Sequence, residues 1–100
     1  MREYRVRREY RKKLEGDGLR EIASKFFGDV GQDGDMLIAS YGAIRSMRMR
    51  FNGKSLFIDT EMDKNVDDNL AIETIKKYNQ FLYEATGYTA KERKKHLSKM

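Results

Sequence analysis

Three glycine-bearing dipeptides, Asp33-Gly34, Tyr41-Gly42 and Asn52-Gly53, punctuate the middle of the chain. Asn-Gly and Asp-Gly are strong hairpin signals, because both central residues of a type I′ turn need φ > 0. Between them lie short runs rich in β-branched, aromatic and methionine side chains. The spacing predicts a four-stranded antiparallel meander: a short, weak strand from Asp29 to Gln32, then Met36–Ser40, Ala43–Phe51 and Lys54–Met62.

A further strand is expected over residues 2–8, where Tyr4 and Val6 alternate with Arg5 and Arg7. Residues 9–17 read as a polar approach to a helix with Asp17 as N-cap. Leu19, Ile22, Ala23 and Phe26 then fall on one helical stripe, and Gly28 stands where a left-handed C′ glycine would close it. A long helix follows from Asp67 to Thr86, with Ala71, Ile75, Tyr78, Leu82 and Ala85 in one sector and Gly87 as its stop. Thr89-Ala90-Lys91-Glu92 is a capping box opening a short basic helix from Lys91 to about Leu97. That piece has few apolar residues and is expected to be marginal alone.

The order is therefore β-α-β-β-β-β-α: an α+β fold with a five-stranded antiparallel sheet, two helices on one face and a short basic C-terminal helix or tail. Residues 1–88 form the expected single domain, and 89–100 the tail. Each helix brings one apolar stripe, so both cover one sheet face and leave the other bare. A two-residue Asn52-Gly53 loop would set Met49 opposite Leu56 and Met47 opposite Ile58 on the core side. The bare side would carry Arg5, Arg7, Arg48, Arg50, Phe57, Asp59 and Glu61, with Arg48 stacked on Phe57.

Charge placement matters more than its total of +5. Residues 1–13 hold seven Lys/Arg against two acids, and residues 91–100 hold five against one, whereas residues 14–90 are net acidic. Basic ends suit polyanions, but they also serve solubility alone. The candidate nucleic-acid contacts are Arg5, Arg7, Arg48, Arg50 and Phe57 on the bare face, with Lys91, Arg93, Lys94 and Lys95 in the tail. Arginines around an aromatic ring could hold phosphates and stack a base. Internal pairing with Asp59 and Glu61 is the competing reading, because one aromatic makes a small platform.

The chain has no cysteine and one histidine, His96, expected to be a solvated tail residue, so thiolate sites are excluded and no second histidine or cysteine can complete a ligand set or triad. The carboxylates Asp59, Glu61, Asp63, Asp67 and Asp68 could bind a hard cation, but helix capping and strand ion pairs account for them without one. The run from Asp29 to Asp35 fails as a calcium loop, because its twelfth position is Ser40. No catalytic residue, metal or cofactor is expected. The charged start and the lack of a long apolar run point to a cytoplasmic protein that does not enter membranes.

Ser40-Tyr41-Gly42-Ala43, Lys77-Tyr78-Asn79-Gln80-Phe81-Leu82 and the string from Glu84 to Arg93 resemble a small family of uncharacterised archaeal proteins. That family resembles the TATA-binding-protein fold, whose half-unit runs β-α-β-β-β-β-α. The resemblance implies an edge position for the first strand, beside the fifth. It implies no activity, catalytic residue or cofactor. The leading expectation is a nucleic-acid-binding module; the alternatives are a protein-interaction or self-assembly module using the edge strand or the tail helix, and a small-ligand-binding domain.

Overall fold

The computed structural model describes residues 1–98, with side chains described as far as Lys95. The elements are β1 (Arg2–Arg5), α1 (Arg8–Leu14), α2 (Gly18–Phe27), β2 (Gly31–Asp33), β3 (Met36–Tyr41), β4 (Ile44–Phe51), β5 (Ser55–Met62), α3 (Asp68–Thr86) and α4 (Ala90–Ser98). The sheet is antiparallel in the order β1-β5-β4-β3-β2. The expected α+β layout holds, with one helix more than the sequence reading supplied.

That helix is α1. The first strand stops at Arg5 rather than continuing to residue 8, and Arg7 sits at the N-cap with ψ 142°. Tyr10 and Leu14, four residues apart, turn one edge of α1 inward while the cations face out, and Val6 comes just before the helix. Val6 and Leu14 are buried, and Tyr10 packs against the core. In α2, Asp17 precedes the first turn but its side chain makes no capping bond. Gly28 closes the helix at φ 83°, ψ −128°, which is not the expected left-handed C′ geometry.

The Asn52-Gly53 loop corrects the expected register. Phe51 opposes Leu56, Met49 opposes Ile58 and Arg50 opposes Phe57, a slip of two residues. Asn52 keeps a negative φ, so the type I′ turn does not form. Its side-chain oxygen instead accepts from the backbone N–H groups of Lys54 and Ser55, at 2.9 and 2.8 Å, closing a four-residue loop. Because the slip is even, each side chain keeps its face. Met47, Met49, Leu56 and Ile58 are all buried.

Helix α3 is rotated relative to the expected stripe. Its buried side chains are Thr74, Phe81, Leu82, Ala85 and Thr86, while Ile75 is half exposed. Two contacts set that rotation. Phe81 packs against Phe26 and Phe27 with ring centroids 6.1 and 5.0 Å apart. Thr74 donates to the Leu70 carbonyl at 2.7 Å and accepts from the Ala43 N–H at 2.9 Å, which pins the β3–β4 turn to the helix. Gly42 stands against Thr74 at φ 51°, where a Cβ would have no room. All three of α1, α2 and α3 serve the same sheet face, and no described element covers the reverse face.

Candidate nucleic-acid interface

The bare face carries Arg5, Arg48, Arg50 and Phe57, as expected. Glu3 and Arg5 lie on this side of β1, with Glu3 opposite Phe57. Arg48 is flanked by Ile38 on β3 and Asp59 on β5. The stacked arginine is Arg50, not Arg48: its guanidinium carbon lies 5.1 Å from the Phe57 ring centre. The two-residue slip explains the exchange. Arg50 also approaches Asp35 at 3.9 Å, while Arg5 and Arg48 make no ion pair among the described residues. Cations and carboxylates thus alternate here, so the face is a mosaic with little net charge.

Arg7 is a correction. It does not lie on the bare face, because the strand has already ended. Its backbone N–H donates to the Thr86 carbonyl at 2.8 Å. Its guanidinium donates to the Gly87 carbonyl at 2.7 Å, pairs with Glu92 at 3.1 Å and lies 4.6 Å from the Tyr88 ring centre. Gly87 is left-handed at φ 80°, ψ 5°, and a side chain there would strike Arg7 and Tyr10. Four chain segments therefore meet at Arg7: the end of β1, the start of α1, the end of α3 and the start of α4.

Arg93 is the second correction. It is 6% exposed, not a surface tail residue. It donates to the Tyr88 carbonyl at 2.6 Å and to Asn79 Oδ1 at 2.8 Å, tying α4 to α3. Burial lowers its pKa from the usual guanidinium value. The capping box forms as the sequence indicates: Thr89 Oγ1 accepts from the Glu92 N–H at 3.2 Å, and Glu92 Oε1 accepts from the Thr89 N–H at 3.0 Å. Lys91, Lys94 and Lys95 are exposed along α4. The side chain of His96, expected to be a solvated tail residue, lies outside the described residues.

One consequence was not legible in the sequence. The Arg7 junction brings the start of α1 beside the start of α4. Helix α1 supplies Arg8, Arg11, Lys12 and Lys13 against Glu9, and α4 supplies Lys91, Arg93, Lys94 and Lys95 against Glu92. Of these, Arg8, Lys12, Lys13, Lys91, Lys94 and Lys95 are exposed.

A family profile described as a domain of unknown function (DUF5611) matches residues 1–99. The chain belongs to this family. Among solved structures, it is similar to a hypothetical protein from Thermoplasma acidophilum determined in solution by NMR, with 31% identity, full coverage of both chains and a TM-score of 0.68. That archaeal neighbour and the family profile agree with the resemblance read from the Glu84–Arg93 string. No curated protein matches the chain. The DUF5611 residues missed by sequence reasoning are those of α1. Their signal was the four-residue spacing of Tyr10 and Leu14, hidden by the surrounding cations.

Among the described residues, no three His, Asp or Glu side chains converge as a metal ligand set. Asp63 instead holds its own turn, accepting from the Asn65 N–H at 2.9 Å, and Asp67 caps α3 by accepting from the Leu70 N–H at 2.7 Å. No described helix is long and apolar enough to cross a membrane.

Proposed function

We propose that this DUF5611 protein is a non-enzymatic nucleic-acid-binding module whose principal contact surface is the basic helices α1 and α4, which start at the Arg7 junction. The Arg7 junction carries this reading, because it sets the starts of the two basic helices beside each other. Affinity for nucleic acid comes largely from such phosphate contacts. The bare sheet face plays a smaller part. Its alternating charges give little net attraction, and Phe57 offers one ring already covered by Arg50. The element order also resembles one half-unit of TATA-binding protein, with α1 and α4 added; that is an analogy of fold and assigns no groove or sequence.

The test is a titration of a labelled oligonucleotide at two salt concentrations. Four phosphate contacts should weaken binding by about a hundredfold between roughly 50 and 200 mM salt. Replacing Lys12 or Lys91 with alanine should lower the salt slope by about one each. Absence of binding at roughly 50 μM protein would overturn the proposal. So would a loss of binding in Arg48→Ala with none in the helix variants.

A further inference from the structure

Beside the edge strand, β1, α3 and α4 line an open cleft of about 290 Å³. Arg2, Tyr4, Ile75, Tyr78, Arg93 and Lys94 contribute to its walls. A second hollow of about 280 Å³ shares Arg2, Tyr4 and Tyr78, so the tyrosine pair borders both.

Arg93 makes the first argument. It is buried and keeps its positive charge, yet its two acceptors, the Tyr88 carbonyl and Asn79 Oδ1, are both neutral. No carboxylate pairs with it among the described residues. Two of its five N–H donors are used. A buried charge with no counter-charge is costly, and an anion arriving beside it relieves that cost.

The tyrosines make the second argument, independent of the first. Their hydroxyl oxygens are 3.3 Å apart and share one hydrogen bond. Only one of the two hydroxyl hydrogens can occupy it, and the other has no acceptor among the described residues. Burial and the neighbouring Tyr4 push the Tyr78 pKa well above the usual tyrosine value, so Tyr78 keeps its proton near neutral pH. Arg2 lies beside the Tyr4 hydroxyl, which raises the pKa of Arg2. No carboxylate lines this cleft, while Ile75, Leu82 and the tyrosine rings give it an apolar wall.

We propose that this cleft binds a small organic oxyanion, a carboxylate or phosphate carried on an apolar body. Arg93, Arg2 and Lys94 supply the charge, and the spare phenol proton supplies a directed hydrogen bond. The volume suits a body of about one aromatic ring, at the small end of ligand pockets. This site is separate from the outward cations of α1 and takes a single small molecule rather than a polymer.

The test uses the full chain, followed by ¹H–¹⁵N NMR during titration with phenyl phosphate, benzoate and inorganic phosphate. Phenyl phosphate or benzoate should shift the amides of Arg2, Tyr4, Tyr78, Asn79 and Lys94 and saturate in the range of about 1 mM. The tighter of the two identifies the oxyanion. Inorganic phosphate should bind about tenfold more weakly, because it leaves the apolar wall uncovered. Tyr78→Phe combined with Tyr4→Phe removes the spare proton whichever ring carries it, and should weaken binding of the tighter organic probe about tenfold. Arg2→Gln, at the exposed strand edge, should do the same and serves where the double variant disturbs folding. Lys12→Ala should leave this affinity unchanged, which separates the cleft from oligonucleotide binding. The proposal is overturned by no saturation up to about 10 mM, by equal responses to all three probes spread along the lysines of α1 and α4, or by unchanged affinity in both cleft variants.

Discussion

Arginine does opposite things at two places in this molecule. At the junction of β1, α1, α3 and α4, Arg7 and Arg93 spend their donors on the carbonyls of Gly87 and Tyr88 and on Asn79. On the bare sheet face, Arg5 and Arg48 make no ion pair among the described residues, and Arg50 rests on Phe57. The sequence offers all five as equivalent cations. What separates them is the backbone around them. A helix end leaves carbonyls unsatisfied, and a planar guanidinium is well shaped to collect them. A sheet interior has no spare carbonyls, so its arginines remain available to solvent or ligand.

The sharpest way to break this comparison is Arg93→Ala. It removes the bonds to Asn79 Oδ1 and the Tyr88 carbonyl at a part-buried site, and should cost about 2–3 kcal/mol in urea unfolding. Arg93→Lys keeps the charge but loses the fork, so it should recover less than half of that loss. Arg7→Ala comes next, at about 1–2 kcal/mol. Hydrogen exchange should then speed up in α4 before the sheet, because Arg7 is what holds Glu92 and Tyr88. Arg50→Ala should cost about 0.5–1 kcal/mol through its stacking on Phe57, with little from the 3.9 Å approach to Asp35. Arg48→Ala should change stability by no more than about 0.5 kcal/mol. An Arg48 effect as large as that of Arg93 would erase the distinction between the two regions.

The sequence made the sheet readable because turn chemistry and alternation agree along β3, β4 and β5. It placed Met47, Met49, Leu56 and Ile58 inward, and they are inward. The register slipped because Asn52 can serve a loop through its side chain as well as through its backbone, and composition does not choose between these. The α1 helix was obscured because five cations among residues 7–13 masked the inward edge formed by Tyr10 and Leu14. The rotation of α3 depended on Thr74, a polar residue that apolar periodicity ignores. The capping box at Thr89 was legible because it is local. Arg93 was not, because its partners lie across a helix end that exists only once α3 and α4 have met.

The strands at the two rims of the sheet are its shortest, with four residues in β1 and three in β2. Arg2, Glu3 and Arg5 on one rim and Asp33 on the other stand in water. A neighbouring chain trying to extend the sheet would find few open rungs and would have to strip hydration from charges to reach them. Chains crowded together therefore gain little by stacking strand to strand. The fold discourages fibre growth at the same borders where its hydrogen-bonded ladder ends.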